Sequence, residues 1–392
     1  MKHSRWLPLS IGASVVAFTA GACYQRTAPA PTGLEQSALA QTRSAQTPIR
    51  NADDLAQLSA TYAQIARKVT PAVVNIQAVK VQPGRTFADP FGGFGDDGEF
   101  GGRMLREPDR RSQSIGSGVI IDKSGLIITN NHVAGGATQL TVTLSDRRRF
   151  PAKLLGTDPS SDVAVLKIEA TNLPTLNFVD SDKVNVGDIV LAVGSPFNLA
   201  STVTQGIISA KGRRDLGISA YEDFLQTDAA INPGNSGGAL VDINGNLVGI
   251  NTAILSESGG NQGIGLAIPS NLALSIEKQL AQTGKVTRGW LGVAVDPLTG
   301  DVADQLGLGN QGGVIVSGLY PQSPAAAIPW KERGTDIILS ANGTPIDSPG
   351  ELRNIVASLN PGDTLKLSVW SNGQTKDYSV NVGTRPPRAQ GV

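Results

Sequence analysis

Gly234-Asn235-Ser236-Gly237-Gly238 is the stretch that decides how this chain is read. A serine fenced by glycines sits on a tight loop with little side-chain cover. Its hydroxyl is exposed, and backbone N–H groups turn toward one point where a negatively charged oxygen can be held. A serine hydroxyl is a weak nucleophile at neutral pH and needs a base within hydrogen-bond reach, itself oriented by a third group. The chain holds two histidines. His3 lies in a leader segment, which leaves His132 as the histidine base of the mature chain. It follows Thr129-Asn130-Asn131, and Asp162 opens Asp162-Val163-Ala164-Val165-Leu166-Lys167 further on. In this arrangement His132 would take the proton of Ser236 and return it to a leaving group. Asp162 would hold the imidazole in the required tautomer, and the N–H groups of Gly234 and Ser236 would form an oxyanion hole. Taken singly, Asp162 reads as a turn or cap residue, Ser236 as a turn serine and His132 as a structural histidine. Their order and surroundings together carry the chemistry.

The N-terminus reads as an export signal. Lys2 and Arg5 form a positive region, Trp6 to Ala20 are apolar or small and uncharged, and Ala20-Gly21-Ala22 fits an A-x-A cleavage site. Pro8 and Gly12 break the run, which is too short for a membrane span. Cys23 is the one cysteine, so no internal disulfide forms and the fold stands on its apolar core. Directly after the signal, Cys23 reads either as a lipidated first residue, giving membrane attachment, or as an idle thiol of a free form. Ala20 stands where a lipobox usually has leucine.

An apolar share of 40% with 17% charged residues is that of a globular protein, and a formal net charge of zero gives no basic excess for nucleic acid. Arg147-Arg148-Arg149 reads as a solvated turn between strands. No phosphate-binding loop, cofactor motif or metal-ligand cluster stands out, so none of these is expected.

Residues 1–22 are the signal peptide and 23–50, rich in Ala, Gln, Thr and Pro, a disordered tether. A protease-like β domain spans 51–270. It opens with a helix from Asn51 to about Lys68 carrying Leu55, Leu58, Tyr62 and Ile65 on one face. Short apolar strands and glycine-rich turns follow, as in Val119–Ile121, Leu126–Ile128, Leu140–Leu144, Val163–Leu166, Ile189–Val193 and Leu247–Ile250. This pattern is that of a sandwich or barrel, and the span accommodates two six-stranded barrels. Gln82 to Ser114, with Phe91, Phe94 and Phe100, reads as a long interrupting loop, either a floppy insertion or a mobile contact. A linker helix over 271–285 is capped by Ser270 and ended by Gly284. Residues 286–384 form a second module with strands near Trp290–Val293, Gly313–Val316, Asp336–Leu339 and Leu365–Val369, and a helix from Pro349 to Leu359. Residues 385–392 are a tail.

Thr129 to Val133, Asp162 to Lys167 and Asp228 to Gly238 together resemble the signature of the HtrA/Deg family of exported serine proteases. Gly194-Ser195-Pro196-Phe197, Gly249 to Ile254 and Ile264 to Pro269 extend the resemblance, which runs from about residue 55 to 383. His, Asp, then Ser is also the chain order of chymotrypsin-like enzymes. The resemblance implies a mainly β fold, a chymotrypsin-like double six-stranded β-barrel followed by a PDZ domain (a small β-barrel with helices). It implies an ATP-independent serine endopeptidase of the periplasm or cell envelope that degrades unfolded or damaged proteins in quality control and stress response, with additional chaperone activity open.

In the fold that the resemblance implies, the residue six before the nucleophile, here Ala230, lies at the base of the S1 pocket and Ile254 would narrow it, so cleavage after small or medium aliphatic residues is expected. An unfolded chain would add as a strand beside Thr252 to Ile254. Arg213 matches an arginine that helps order the oxyanion loop from a switch loop over about Lys211 to Asp223. In Arg288-Gly289-Trp290-Leu291-Gly292-Val293, successive amides at Leu291, Gly292 and Val293 would hold a peptide's terminal carboxylate, with Leu352, Ile355 and Val356 as apolar pocket or core residues. Partners are therefore unfolded polypeptides and C-terminal peptides, and family members assemble as homotrimers or larger homo-oligomers. Ile328 to Asp336 departs from the family pattern. Two other readings stay open, a chaperone or peptide sensor on a protease scaffold and a regulatory protease that cuts one partner.

Overall fold

The computed structural model describes residues 52–82, 86–88, 104–106, 110–196, 201–255, 260–330 and 336–386. The leader, the tether with Cys23, Phe91, Phe94, Phe100, Phe197 and residues 387–392 lie outside them.

Helix α1 (Ala52–Val69) starts with Asp53 and Asp54 and ends with Arg67 and Lys68, the charge order that complements a helix dipole. Ile65 and Val69 are buried and Tyr62 packs beside them, while Leu55 stays exposed. Pro71 then breaks the helix into a short 3-10 turn.

The first closed barrel has the order β1 (Val73–Gln82), β4 (Arg110–Ile120), β5 (Leu126–Thr129), β8 (Val163–Ile168), β7 (Arg149–Asp158) and β6 (Gln139–Thr143). Strands β2 (Thr86–Ala88) and β3 (Met104–Arg106) pair with each other outside it. The expected loop over 82–114 is thus corrected in part. Residues Arg110 to Ser114 continue β4 opposite Gln82 to Ala78 of β1, because ladder hydrogen bonds on an exposed edge need no apolar side chains. Val74, Ile76, Ile120, Ile127, Val142 and Leu166 point into the barrel and are fully buried. Between β5 and β6 a single helical turn, α2 (Asn131–Ala134), carries His132.

The second closed barrel has the order β10 (Thr202–Arg213), β11 (Phe224–Thr227), β14 (Gly265–Pro269), β13 (Leu247–Ile254), β12 (Ala239–Val241) and β9 (Ile189–Gly194). Its interior holds Val190, Ala192, Ile208, Leu225, Leu240 and Val248. A third cluster, including Val119, Val165, Val193, Phe224, Leu247 and Leu266, joins the two barrels and receives helix α3 (Ser270–Thr283) through Ala273, Ile276 and Leu280. Ser270 does not cap α3. It is the helix's first residue, follows Pro269 in extended conformation, and spends its hydroxyl on the carbonyl of Val179. Gly284 closes α3 in the left-handed region, φ 72°.

The second module pairs β15 (Gly289–Trp290) with β22 (Gly383–Thr384). Its larger sheet has the order β16 (Val293–Pro297), β17 (Val314–Leu319), β18 (Ile337–Ala341), β20 (Thr364–Ser371), β21 (Gln374–Asn381), with β19 (Thr344–Pro345) beside β18. Helices α4 (Gly300–Gln305) and α5 (Pro349–Ser358) complete it. Ser348 caps α5 by accepting from the N–H of Glu351, and Pro349 occupies the first turn, where its missing N–H costs nothing.

Candidate active site

The seam between the barrels is held by buried polar groups. The amide of Asn75 on β1 donates to the carbonyl of Ser195 at 2.6 Å. Ser117 on β4 is wholly buried and uses every polar atom. Its N–H donates to Ser236 O at 2.8 Å and its carbonyl accepts from Thr129 Oγ1 at 2.6 Å. Its hydroxyl donates to Gly234 O at 2.6 Å and accepts from Ser195 N–H at 2.8 Å. The first barrel therefore grips the glycine-rich loop of the second at Gly234 and at Ser236. Gly237 sits at φ 82°, and a Cβ there would strike Ser117 O and Thr129 Oγ1, so only glycine fits.

Asp162 adopts φ 59°, a left-handed conformation that aspartate tolerates better than most residues. Its backbone carbonyl accepts from Asn131 N–H and from the Asn130 side chain. One carboxylate oxygen accepts from the N–H of His132 at 2.9 Å. The other lies 2.7 Å from His132 Nδ1 and accepts from Thr252 Oγ1 at 2.7 Å. An ionised carboxylate only accepts, so Nδ1 carries the proton and Nε2 is left with a lone pair. Asp162 is little exposed, whereas the His132 ring is half-exposed and can meet a substrate.

In the loop itself, Asn235 N–H bonds Asn232 O, Gly237 N–H bonds Asn251 O and Gly238 N–H bonds Asn235 O. Among the described residues, the N–H groups of Gly234 (φ 97°) and Ser236 bond no protein acceptor. These two amides are left without a protein partner while the other three of the loop are engaged. Ser236 Oγ makes no hydrogen bond to His132 among the described residues, a contact that in unliganded sites commonly tightens only with substrate.

Past Asn251, β13 pairs among the described residues with β14 alone, which leaves Thr252 to Ile254 one open edge there. Ile254 packs against the second barrel's interior, and Ala230 is half-buried with its carbonyl held by Thr204 Oγ1 at 2.8 Å. Arg213 bonds Gln226 on the neighbouring strand at 2.8 Å. In the second module, Leu291 O accepts from Ala325 N–H and Gly292 O from Tyr320 N–H. In a trans peptide the N–H points opposite to its C=O. The amides of Gly292 and Val293 therefore face away from those partners, and both residues line a groove of about 560 Å³ with Leu291, Leu352 and Val356. Ile355 packs against the module's core.

Several functional groups were silent in the sequence. Ser117 carried no motif of its own, and the hydroxyl of Thr252 was placed only in a substrate pocket. The loop from Arg214 to Asp223 folds around the buried carboxylate of Glu222, which accepts from the N–H groups of Leu216, Ile218 and Ser219. It then docks on α5. Arg214 bridges Asp223 (2.8 Å) and Glu351 (3.1 Å), Asp215 accepts from Gly350 N–H, and Asn354 donates to Glu222 O. Next to it, Arg288 pairs with Asp158 and lies 4.4 Å from the centroid of the Tyr221 ring. Only charge pairing in three dimensions reveals these contacts.

Two closed six-stranded barrels with this loop at their seam, followed by a small β module with helices, define a trypsin-like serine peptidase carrying a PDZ domain. The family models agree: a trypsin-like peptidase domain matches residues 116–250 and a PDZ domain matches 289–382. A probable periplasmic serine endoprotease of the DegP-like type from Chlamydia pneumoniae is 42% identical, covering 85% of this chain and 70% of the relative. One of the same description from Ectopseudomonas mendocina is 42% identical over 84% and 72%. Among solved structures, the HtrA-type protease AlgW with a decapeptide is similar at TM-score 0.66 and 45% identity, covering 83% of this chain and 99% of that one. A serine endoprotease from Yersinia pestis follows at 0.57 and 37%, covering 83% and 98%. The chain belongs to the DegP-like, HtrA-type family of serine endoproteases, and it is a serine endopeptidase.

Proposed function

We propose that this chain is an exported, ATP-independent endopeptidase of the periplasm that degrades unfolded or damaged proteins, with Ser236 as nucleophile, His132 as general base, Asp162 as its orienter, and the amides of Gly234 and Ser236 as the oxyanion hole. The observation that carries this reading is the array on Asp162, which fixes the proton on Nδ1 of His132 beside a glycine loop with two unengaged amides. The open edge at Thr252 to Ile254 favours an extended substrate, because a chain must be unfolded there to add as a strand. Ala230 and Ile254 leave an apolar, uncharged S1 pocket for Val, Ala or Ile. The test compares cleavage of β-casein with that of a stably folded control. Rapid loss of casein and survival of the control supports quality control, and equal rates count against it.

The PDZ domain takes the C-terminus of a peptide on the amides of Leu291, Gly292 and Val293. Its helix α5 is bonded to the Arg214–Asp223 loop, so peptide binding there is coupled to the protease domain. A homotrimer or larger assembly, tested by sedimentation of the mature chain, and attachment through a lipidated Cys23, tested by intact mass of the membrane fraction, belong to the same proposal.

A further inference from the structure

The charge around the peptide groove points to its ligand, on the reading that the groove receives a C-terminal peptide. Apart from the tyrosines, the ionisable side chains that line it among the described residues are Arg353 and Arg385, and none of those residues contributes a carboxylate. Their places along the groove differ. The N–H of Gly289 bonds Leu359 O just past the end of α5, so the C-terminal end of that helix stands at the carboxylate loop. Val356, in the last turn, is then beside the peptide's final side chain. Arg353 is one turn earlier, about 4.5 Å further along the helix axis. A peptide added as a strand points alternate side chains to one face, at a repeat of about 6.6 Å. The next side chain to face α5 after the last one is therefore the third from the end, and it lies over Leu352, about 6 Å along the axis from Val356, beside Arg353, whose long side chain supplies the charge there.

Arg353 is part-exposed and only loosely satisfied. It donates to Ala220 O at 2.9 Å and stands 3.9 Å from Asp215, whose own carboxylate also serves Gly350 N–H. Arg385 follows Thr384, which pairs with Gly289, so it flanks the start of the carboxylate loop. Arg288, its neighbour across that pairing, is already neutralised by Asp158. Arg385 bonds only the hydroxyl of Tyr221, at 3.1 Å, and among the described residues no carboxylate pairs with it.

We propose that the groove selects peptides ending in an apolar residue with a free carboxylate and carrying Asp or Glu at the third position from the end, with Arg353 meeting that side chain and Arg385 adding charge for the terminal carboxylate. The two arginines make the acidic ligand complementary in charge, and the half-exposed setting keeps the gain that of a surface ion pair.

The experiment uses the mature chain with Ser236→Ala, so that ligands are not cut, and fluorescence polarisation of labelled decapeptides. They end in Val and differ only at the third residue from the end: Glu, Gln or Lys, plus the Glu peptide as a C-terminal amide. Glu is expected to bind about three- to fivefold tighter than Gln at low salt, Lys weaker than Gln, and the Glu advantage to shrink at high salt. Arg353→Gln should equalise Glu and Gln while Arg353→Lys retains the preference, and Arg385→Gln should weaken all free-acid peptides together. Equal binding of Glu, Gln and Lys peptides to the unaltered groove overturns the acidic preference and leaves the PDZ reading standing. Equal binding of the acid and the amide, or none of either, overturns the reading that the groove receives a C-terminal peptide, and the preference with it.

Discussion

Replacing Ser117 by alanine tests whether the first barrel holds the catalytic loop. Ser117 is fully buried, and its hydroxyl is the acceptor for Ser195 N–H at 2.8 Å and the donor to Gly234 O at 2.6 Å. Deleting it orphans a buried N–H, at roughly 1–3 kcal/mol, and frees a carbonyl in a half-buried loop that water partly recovers. The sum is a loss of about 2–3 kcal/mol in unfolding free energy, read by urea titration in the Ser236→Ala background. The kinetic effect is separate. Gly234 carries one of the two proposed oxyanion donors. Complete loss of such a donor costs about 10²–10³ in kcat, so a displaced one should cost roughly tenfold to a hundredfold. KM for a fluorogenic peptide with valine before the scissile bond should change little, because the oxyanion forms only after binding. If both kcat and the urea midpoint of Ser117→Ala stay within the error of the parent, the argument that this hydroxyl sets the loop is refuted.

Thr252→Val keeps the side-chain shape but removes the donor to Asp162, and should lower kcat about tenfold at unchanged KM in the same peptide assay. Asp158→Ala leaves the part-buried Arg288 guanidinium, among the described residues, with the Tyr221 ring and Ser161 as neighbours, and should cost about 2 kcal/mol in a denaturant titration. Burial pushes the carboxyl of Glu277 on α3 above the ordinary glutamate value, Lys278 opposing and Asp122 adding to the shift. Below the ordinary value both states hold the proton and nothing is lost. As pH rises through it the unfolded chain ionises first, so stability falls until the folded pKa is passed. Glu277→Gln should therefore raise the melting temperature at pH 7 and leave it unchanged at pH 4, a difference that calorimetry at the two pH values measures.

The barrels were legible because six of their strands carry short apolar runs, such as Val163–Leu166 and Ile189–Val193, and the glycine loop because its glycines surround a single serine. Arg110 to Ser114 were not legible, since a polar strand on an outer edge looks like a loop until its partner, Ala78 to Gln82, is known. Ser270 misled because a serine before an apolar helix reads as a cap, whereas its hydroxyl is drawn to Val179 O, far away in the chain. His132 and Asp162 could be named from order alone, but the third bond on Asp162, from Thr252, is made across the barrel seam and leaves no local trace. Arg213 was assigned by resemblance to ordering the oxyanion loop, and its bond to Gln226 on the neighbouring strand is a contact that no local pattern announces. Its neighbour Arg214 carries the contact to α5 that no sequence pattern announces.

The central claim is that His132, held by Asp162, activates Ser236. The most direct measurement is labelling of the mature chain with a fluorophosphonate, read by intact mass and peptide mapping. The account predicts one adduct, on Ser236, formed at a rate that falls by orders of magnitude in His132→Ala and Asp162→Ala and absent in Ser236→Ala. An adduct on another serine, or labelling of Ser236 at the same rate without His132, would contradict it.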